Sequence, residues 1–124
     1  MLFKPQINLL IRINSSKRLK FITRKPYGLC IFFKVLNYEF NDYEVGFSDI
    51  HNSLINVRPT LQSITTYIKA CENELYEIGN SNIKKNKKVI KVHKLARKEF
   101  KEIFNIYLDE LKLDENTTND FLKL

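Results

Sequence analysis

The stretch INLLIRINSSKRLKFITRKPYGLCIFFKVLNYEF, residues 7–40, decides how the fold is read. Ile7, Leu9, Ile11 and Ile13 alternate with Asn8, Leu10, Arg12 and Asn14. A spacing of two puts one set on one face of a pleated strand. Asn14, Ser15, Ser16 and Lys17 supply turn residues. A second alternation sets Leu19, Phe21 and Thr23 against Arg18, Lys20, Ile22 and Arg24. Lys25, Pro26, Tyr27 and Gly28 read as a turn with proline second and glycine fourth. Residues 29–40 are rich in aromatic and β-branched side chains, which favour strands. Phe32 and Phe33 then point to opposite faces. Asn41 and Asp42 break the run, and Tyr43, Val45 and Phe47 alternate beyond it. The pattern predicts four antiparallel strands in a meander.

Working outward, the period changes. Pro59 suits the first turn of a helix. Leu61, Ile64, Ile68, Cys71, Leu75 and Ile78 recur every three or four residues, and Gly79 follows where a helix-ending glycine is expected. A second stripe joins Val89, Val92, Ala96, Phe100, Ile103 and Tyr107, widened by Phe104, Leu108 and Leu111. It predicts a helix from about residue 85 to about residue 113. The short link between the two favours an antiparallel helical hairpin. The expected fold class is therefore α+β: an N-terminal four-stranded antiparallel sheet followed by two C-terminal helices. The chain reads as a single domain over residues 1–124. It comprises a strand-rich half (1–50), a helical half (53–113) and a polar tail (114–124) whose Phe121, Leu122 and Leu124 suggest docking.

With 124 residues, 44% of them apolar, the chain can bury a core without staples. Two cysteines and two histidines are too few for a disulfide framework or a four-ligand zinc site of the usual kind. No metal site and no cofactor is expected. Cys30 and Cys71 lie in apolar settings and read as buried, reduced thiols, which implies a reducing, cytoplasmic compartment. A bridge between them cannot be argued from spacing. No stretch approaches the roughly 20 apolar residues of a membrane span, and no membrane partner is expected. Residues 1–34 lack acid, a composition that also suits an organelle transit segment, but their spacing of two is not that of a helical face.

Charge is the most informative feature. Lys and Arg number 21 against 14 Asp and Glu, a net charge of +7, and the excess is blocked rather than mixed. Residues 1–34 hold eight basic and no acidic residues, and residues 81–101 hold nine basic and one acidic. The intervening and final segments are acidic. In the expected helical hairpin, Lys84, Lys85, Lys87 and Lys88 would oppose the second helix's dipole, as would Asp109 and Glu110 at its far end. Glu74 and Glu77 would face lysines among residues 84–91, pairs that set register more than stability.

That pairing cannot absorb all the cations. Lys87, Lys91, Lys94, Lys98 and Lys101 would form a basic stripe along one helix, an electrostatic footprint for phosphates. Arg12, Lys17, Arg18, Lys20, Arg24, Lys25 and Lys34 form a second basic block on the strands, with Tyr27 and Phe32 placed to stack on unpaired bases. The bland alternatives are a solvated helix face and an edge strand protected by charge. The expected function is non-catalytic nucleic-acid binding. The contacts are Arg12, Lys17, Arg18, Lys20, Arg24, Lys84, Lys85, Lys87, Lys88, Lys91, Lys94, Arg97 and Lys98. RNA or single-stranded DNA is favoured, because no helix-turn-helix signal is evident.

Two other classes compete. One is a protein partner or homodimer, in which one chain's basic helix meets another's acidic end, as in a regulator or inhibitor from an AT-rich mobile element. A ribosome-associated role fits the same charge. The other is a small metal-independent nuclease using His51 or His93 as base with Glu39, Glu44 or Asp49 nearby. No spacing ties these groups into one site, and no phosphate-cradling glycine loop, HExxH or nucleophile elbow is present, so no catalytic residue is assigned.

Overall fold

The computed structural model describes residues 3–54, 59–113 and 122–124. Helix α1 spans Lys4–Ser15, and a 3-10 segment spans Leu19–Arg24. Helices α2 (Gly28–Phe40), α3 (Phe47–Ser53) and α4 (Leu61–Ala70) follow. Strands β1 (Tyr76–Asn80) and β2 (Lys88–Val92) form one antiparallel hairpin, and α5 (Lys94–Leu113) follows it. This corrects both halves of the expected fold. The described part of residues 1–50 holds helices joined by turns and no strand, not a four-stranded meander. The sheet lies inside the half expected to be two helices. Most of the tail, residues 114–121, lies outside the described residues, and Leu122 and Leu124 are exposed.

The misleading alternation in α1 has a simple cause. A spacing of four satisfies both a strand's period of two and a helix's 3.6. Pro5, Leu9 and Ile13 are spaced by four and face inward, while Ile7 and Ile11 of the apparent strand face point outward. Pro5 in the first turn suits helix initiation. In α2 the inward residues are Gly28, Ile31, Phe32 and Val35, again at helical spacing. Phe32 is buried and its neighbour Phe33 half exposed, because adjacent helical residues differ by about 100° rather than 180°.

The chain breaks where its turn residues lie, although the elements between the breaks differ from those expected. Helix α1 ends at Ser15. The N–H of Gly28 donates to the carbonyl of Lys25 at 3.0 Å, closing the turn read there. Helix α2 stops at Phe40, and Asp42 takes a left-handed φ of 59°.

Helix α4 starts later than Pro59, with the Thr60 hydroxyl accepting from the Ser63 N–H. It also ends earlier than its apolar stripe. Asn73 has a φ of 70° and turns the chain, so Leu75 lies in the turn and Ile78 in β1. Gly79 is a strand residue opposite Val89, not a helix cap. The register sets Tyr76 opposite Val92, Glu77 opposite Lys91 and Asn80 opposite Lys88. Glu77 thus stands opposite Lys91 in register. Its carboxylate, however, lies 3.8 Å from His93 Nε2 and that of Glu74 3.8 Å from Arg18, so the expected pairing with lysines across two helices does not form.

The outer edge of β2 is covered. Its Ile90 N–H donates to the Val45 carbonyl at 2.8 Å, and its Val92 N–H donates to the Glu39 carboxylate. Only His93 separates β2 from α5, so the expected helix start at residue 85 is corrected to Lys94. The lysines that would have opposed a helix dipole sit in a hairpin instead. One cluster of buried side chains draws on every element, with Leu19, Phe32, Val45, Ile64, Tyr76, Ile90 and Ala96 fully enclosed.

Candidate nucleic-acid interface

The hairpin carries the first group of expected contacts. Lys84 and Lys85 lie in its loop, Lys87 and Lys88 at the start of its returning limb, and Lys91 within β2. The loop is fixed by a serine and a glutamate. The Ser81 hydroxyl accepts from the N–H groups of Ile83 and Lys84 at 3.0 and 2.8 Å. It donates to Glu44 Oε1 at 2.5 Å, while the Asn82 N–H donates to Glu44 Oε2 at 2.9 Å. These two bonds, the hydroxyl's first, hold the Glu44 carboxyl below the usual range. Asn86 supplies the left-handed turn residue, with a φ of 66°. At the base, Lys87 Nζ lies 3.2 Å from Asp49, and Lys88 Nζ donates to Asn80 at 2.8 Å. Lys84, Lys85 and Lys91 are exposed and form no ion pair among the described residues.

The basic stripe expected on one helix is divided. Lys87 and Lys91 belong to the hairpin, while Lys94, Lys98 and Lys101 form an exposed ridge on α5, opposite its buried Ala96 face. Arg97 is drawn aside into an ion pair with Glu39.

Structural contacts take up most of the N-terminal block. Arg12 pairs with Glu110 at 2.7 Å. Arg18 donates to the carbonyl of Asn73 at 2.6 Å. Lys20 and Arg24 lie over the Phe21 ring, the guanidinium 4.0 Å from its centroid. Lys17 lines a shallow cleft with Glu99 and Glu102. Phe32 is enclosed in the core, 5.2 Å from the Phe100 ring, and offers no face to a base. Tyr27 is half-buried, edge-on to Tyr67 at 5.9 Å.

Helix α4 adds polar residues from outside the two basic blocks. Ile64, Tyr67 and Ile68 face inward, leaving Gln62, Ser63, Thr66 and Lys69 exposed. No acid occurs from Thr60 to Cys71, so the signal was present in the sequence. A cleft of about 380 Å³ brings Arg24, Lys25 and Tyr27 beside Gln62, Ser63 and Thr66. Helix α3 packs against both α4 and β2, so it bridges this face to the hairpin.

The catalytic candidates are committed elsewhere. His93 Nδ1 accepts from the Leu95 N–H at 3.1 Å at the start of α5, and its Nε2 lies 3.8 Å from Glu77. Asp49 accepts from the Gly46 N–H at 2.8 Å, which with Lys87 holds its carboxyl below the usual range. Glu39 and Glu44 tie down β2 and the hairpin loop, and His51 lies on α3. Both cysteines are free. Cys30, expected buried, is exposed, whereas Cys71 is enclosed and burial pushes its thiol pKa up.

The depressed Glu44 and Asp49 carboxyls predict a pH response. A carboxyl lowered on folding contributes stability above its unfolded pKa and loses it as pH falls through the folded one. The Asn82 and Gly46 amides should therefore keep their carboxylate acceptors through the ordinary carboxylate range and lose them only below it. An NMR titration carried from pH 7 to below that range is expected to move both resonances only at its acid end. In Glu44→Gln the Asn82 response should disappear, and flat amide shifts would contradict the assignment.

Compared with known protein families, curated proteins and solved structures, the chain matches none. Among the described residues no helix is long and apolar enough to cross a membrane.

Proposed function

We propose that this chain is a non-catalytic nucleic-acid-binding protein that docks on duplex, with α4 in a groove and basic residues on the flanking phosphates. The observation that carries this is the acid-free outward face of α4, with Arg24 and Lys25 beside its Gln62, Ser63 and Thr66 and with α3 packed between α4 and the hairpin strand β2. Helix α4 (Leu61–Ala70) is an outward-facing helix of the kind that a major groove admits. Gln, Thr, Ser and Lys are among the side chains that pair with base edges there. Lys84, Lys85, Lys94, Lys98 and Lys101 supply cations for phosphates, which position a protein without reading sequence. This reading moves the preference from RNA or single strands toward duplex, because α4 supplies the reading element that apolar spacing alone did not reveal.

The test is fluorescence anisotropy with labelled duplex DNA, single-stranded DNA and RNA at about 50 and about 200 mM salt. Duplex should bind best, with a log–log salt slope of about −0.9 per phosphate contact. Changing Lys84 and Lys85 to Gln should make that slope shallower by up to about 2. Changing Gln62 and Thr66 to Ala should narrow the difference between duplex sequences while leaving the slope in place. Preference for single strands would overturn the role of α4, and absence of binding at low salt would overturn the proposal.

A further inference from the structure

The tip of the hairpin carries an apolar side chain among cations. Ile83 is 81% exposed there, whereas Val89, Ile90 and Val92 of the strand behind it are buried. Its neighbours Asn82, Lys84 and Lys85 are exposed as well. From Ser81 to Lys98 the chain has no acid. A single exposed apolar residue is ordinary on a protein surface, but this one differs in how it is held.

The loop is braced. The N–H groups of Ile83 and Lys84 both donate to the Ser81 hydroxyl, which donates in turn to Glu44. The Asn82 N–H donates to the second oxygen of the same carboxylate. At the base, Lys87 pairs with Asp49 of α3. Glu44 and Asp49 thus spend their charge on the hairpin itself, and they tie the backbone around Ile83 to the body of the protein.

A braced, basic loop with an apolar tip has the parts needed to bend DNA. An apolar wedge enters between base pairs from the minor groove, partly unstacks them and kinks the duplex. Entry forces the stack apart, so the wedge must not give way, and the flanking phosphates must be held. Asparagine and lysine suit the same narrow groove, the first at its base edges and the second at its negative rims.

We infer that the hairpin tip is such a wedge. Ile83 enters a base step of duplex DNA from the minor groove, Asn82 lies against the adjoining base edges, and Lys84 and Lys85 bind the flanking phosphates. The inference rests on the duplex reading above and adds a second act to it, deformation of the bound DNA. Charge chooses this partner. An apolar protein surface would cover Ile83 but leave Lys84 and Lys85 without counter-charge, whereas phosphates line both rims of the groove.

Energy transfer between dyes at the two ends of a duplex of about 30 base pairs reads the bend, while anisotropy of the same duplex reads binding. The expected bend lies within the range of about 20–90° that apolar wedges produce, seen as increased transfer at saturation. Ile83→Ala should remove most of that increase and leave the salt slope in place, because Ile83 holds no phosphate. Ile83→Leu, another apolar wedge, should keep it, and Glu44→Gln, which loosens the brace, should lower it in part. Duplex bound without added transfer overturns the wedge and leaves the duplex reading standing, as does equal bending by Ile83→Ala. No duplex binding at low salt overturns both. Vesicles of phosphatidylcholine and phosphatidylserine form the last arm. Binding to them in preference to duplex, lost in Ile83→Ala, would assign the tip to anionic lipid and overturn the wedge.

Discussion

The variant Phe32→Ala is expected to lose about 3–5 kcal/mol of folding free energy. Phe32 is fully enclosed, and its ring lies 5.2 Å from Phe100 and 6.4 Å from Tyr76. It therefore joins α2 to α5 and to the hairpin. Truncation removes the transfer free energy of the ring, leaves a cavity among three elements and breaks the edge-to-face contact with Phe100, which adds about 0.5–1.5 kcal/mol. Domains of this size hold about 5–15 kcal/mol in total, so the loss takes a large share. Urea unfolding should show the midpoint fall by about 2 M at an ordinary slope, or no folded baseline at all. The result also separates two roles. A residue that stacks on bases would leave the midpoint in place and weaken binding only.

Gly28→Ala should cost about 2–3 kcal/mol, although alanine is the better helix former. A Cβ at this position would lie 1.9 Å from the Ile22 carbonyl oxygen and 2.9 Å from Tyr67 Oη. The propensity gain is at most about 1 kcal/mol. Overpacking costs about 1–3 kcal/mol or more, and here the obstacle is backbone, which cannot rotate away. To make room, the 3-10 segment must move from α2. That motion strains the Tyr67 hydroxyl's bond to the Phe21 carbonyl, 2.9 Å long, which ties the segment to α4. Thermal unfolding is expected to fall by roughly 10 °C. A change of under about 2 °C would mean that the helix start accommodates the methyl.

The sequence reported its interruptions more faithfully than its elements. Asn41, Asp42 and the Lys25–Gly28 turn were legible because turn chemistry is local. The type of element between them was not. The four-residue spacing of Pro5, Leu9 and Ile13 fits two periods, and only contact with α5 chooses between them. The stripe from Leu61 to Ile78 failed for a related reason: its last members keep helical spacing after Asn73 has turned the chain.

The candidate interface divides the same way. The basic character of residues 84–101 was legible as a count. Which cations stay free was not, because Glu39, Glu110 and Asp49 reach Arg97, Arg12 and Lys87 from distant sequence. The apolar side of α4 is legible from its spacing, whereas its outward Gln62 and Thr66 gain meaning only when the fold brings Arg24 and Lys25 beside them.

The seating of α1 on α5 has a consequence for synthesis. Gln6 and Tyr107, which touch in the folded protein, are 101 residues apart in the chain. Closing a flexible loop of that length costs about 4 kcal/mol of entropy. At about 5–20 residues per second, α1 must wait on the order of 5–20 s before its seat exists. During that interval its inward residues Pro5, Leu9 and Ile13 face solvent. Helix α1 is thus made about 100 residues ahead of its seat, and its packing closes late in synthesis.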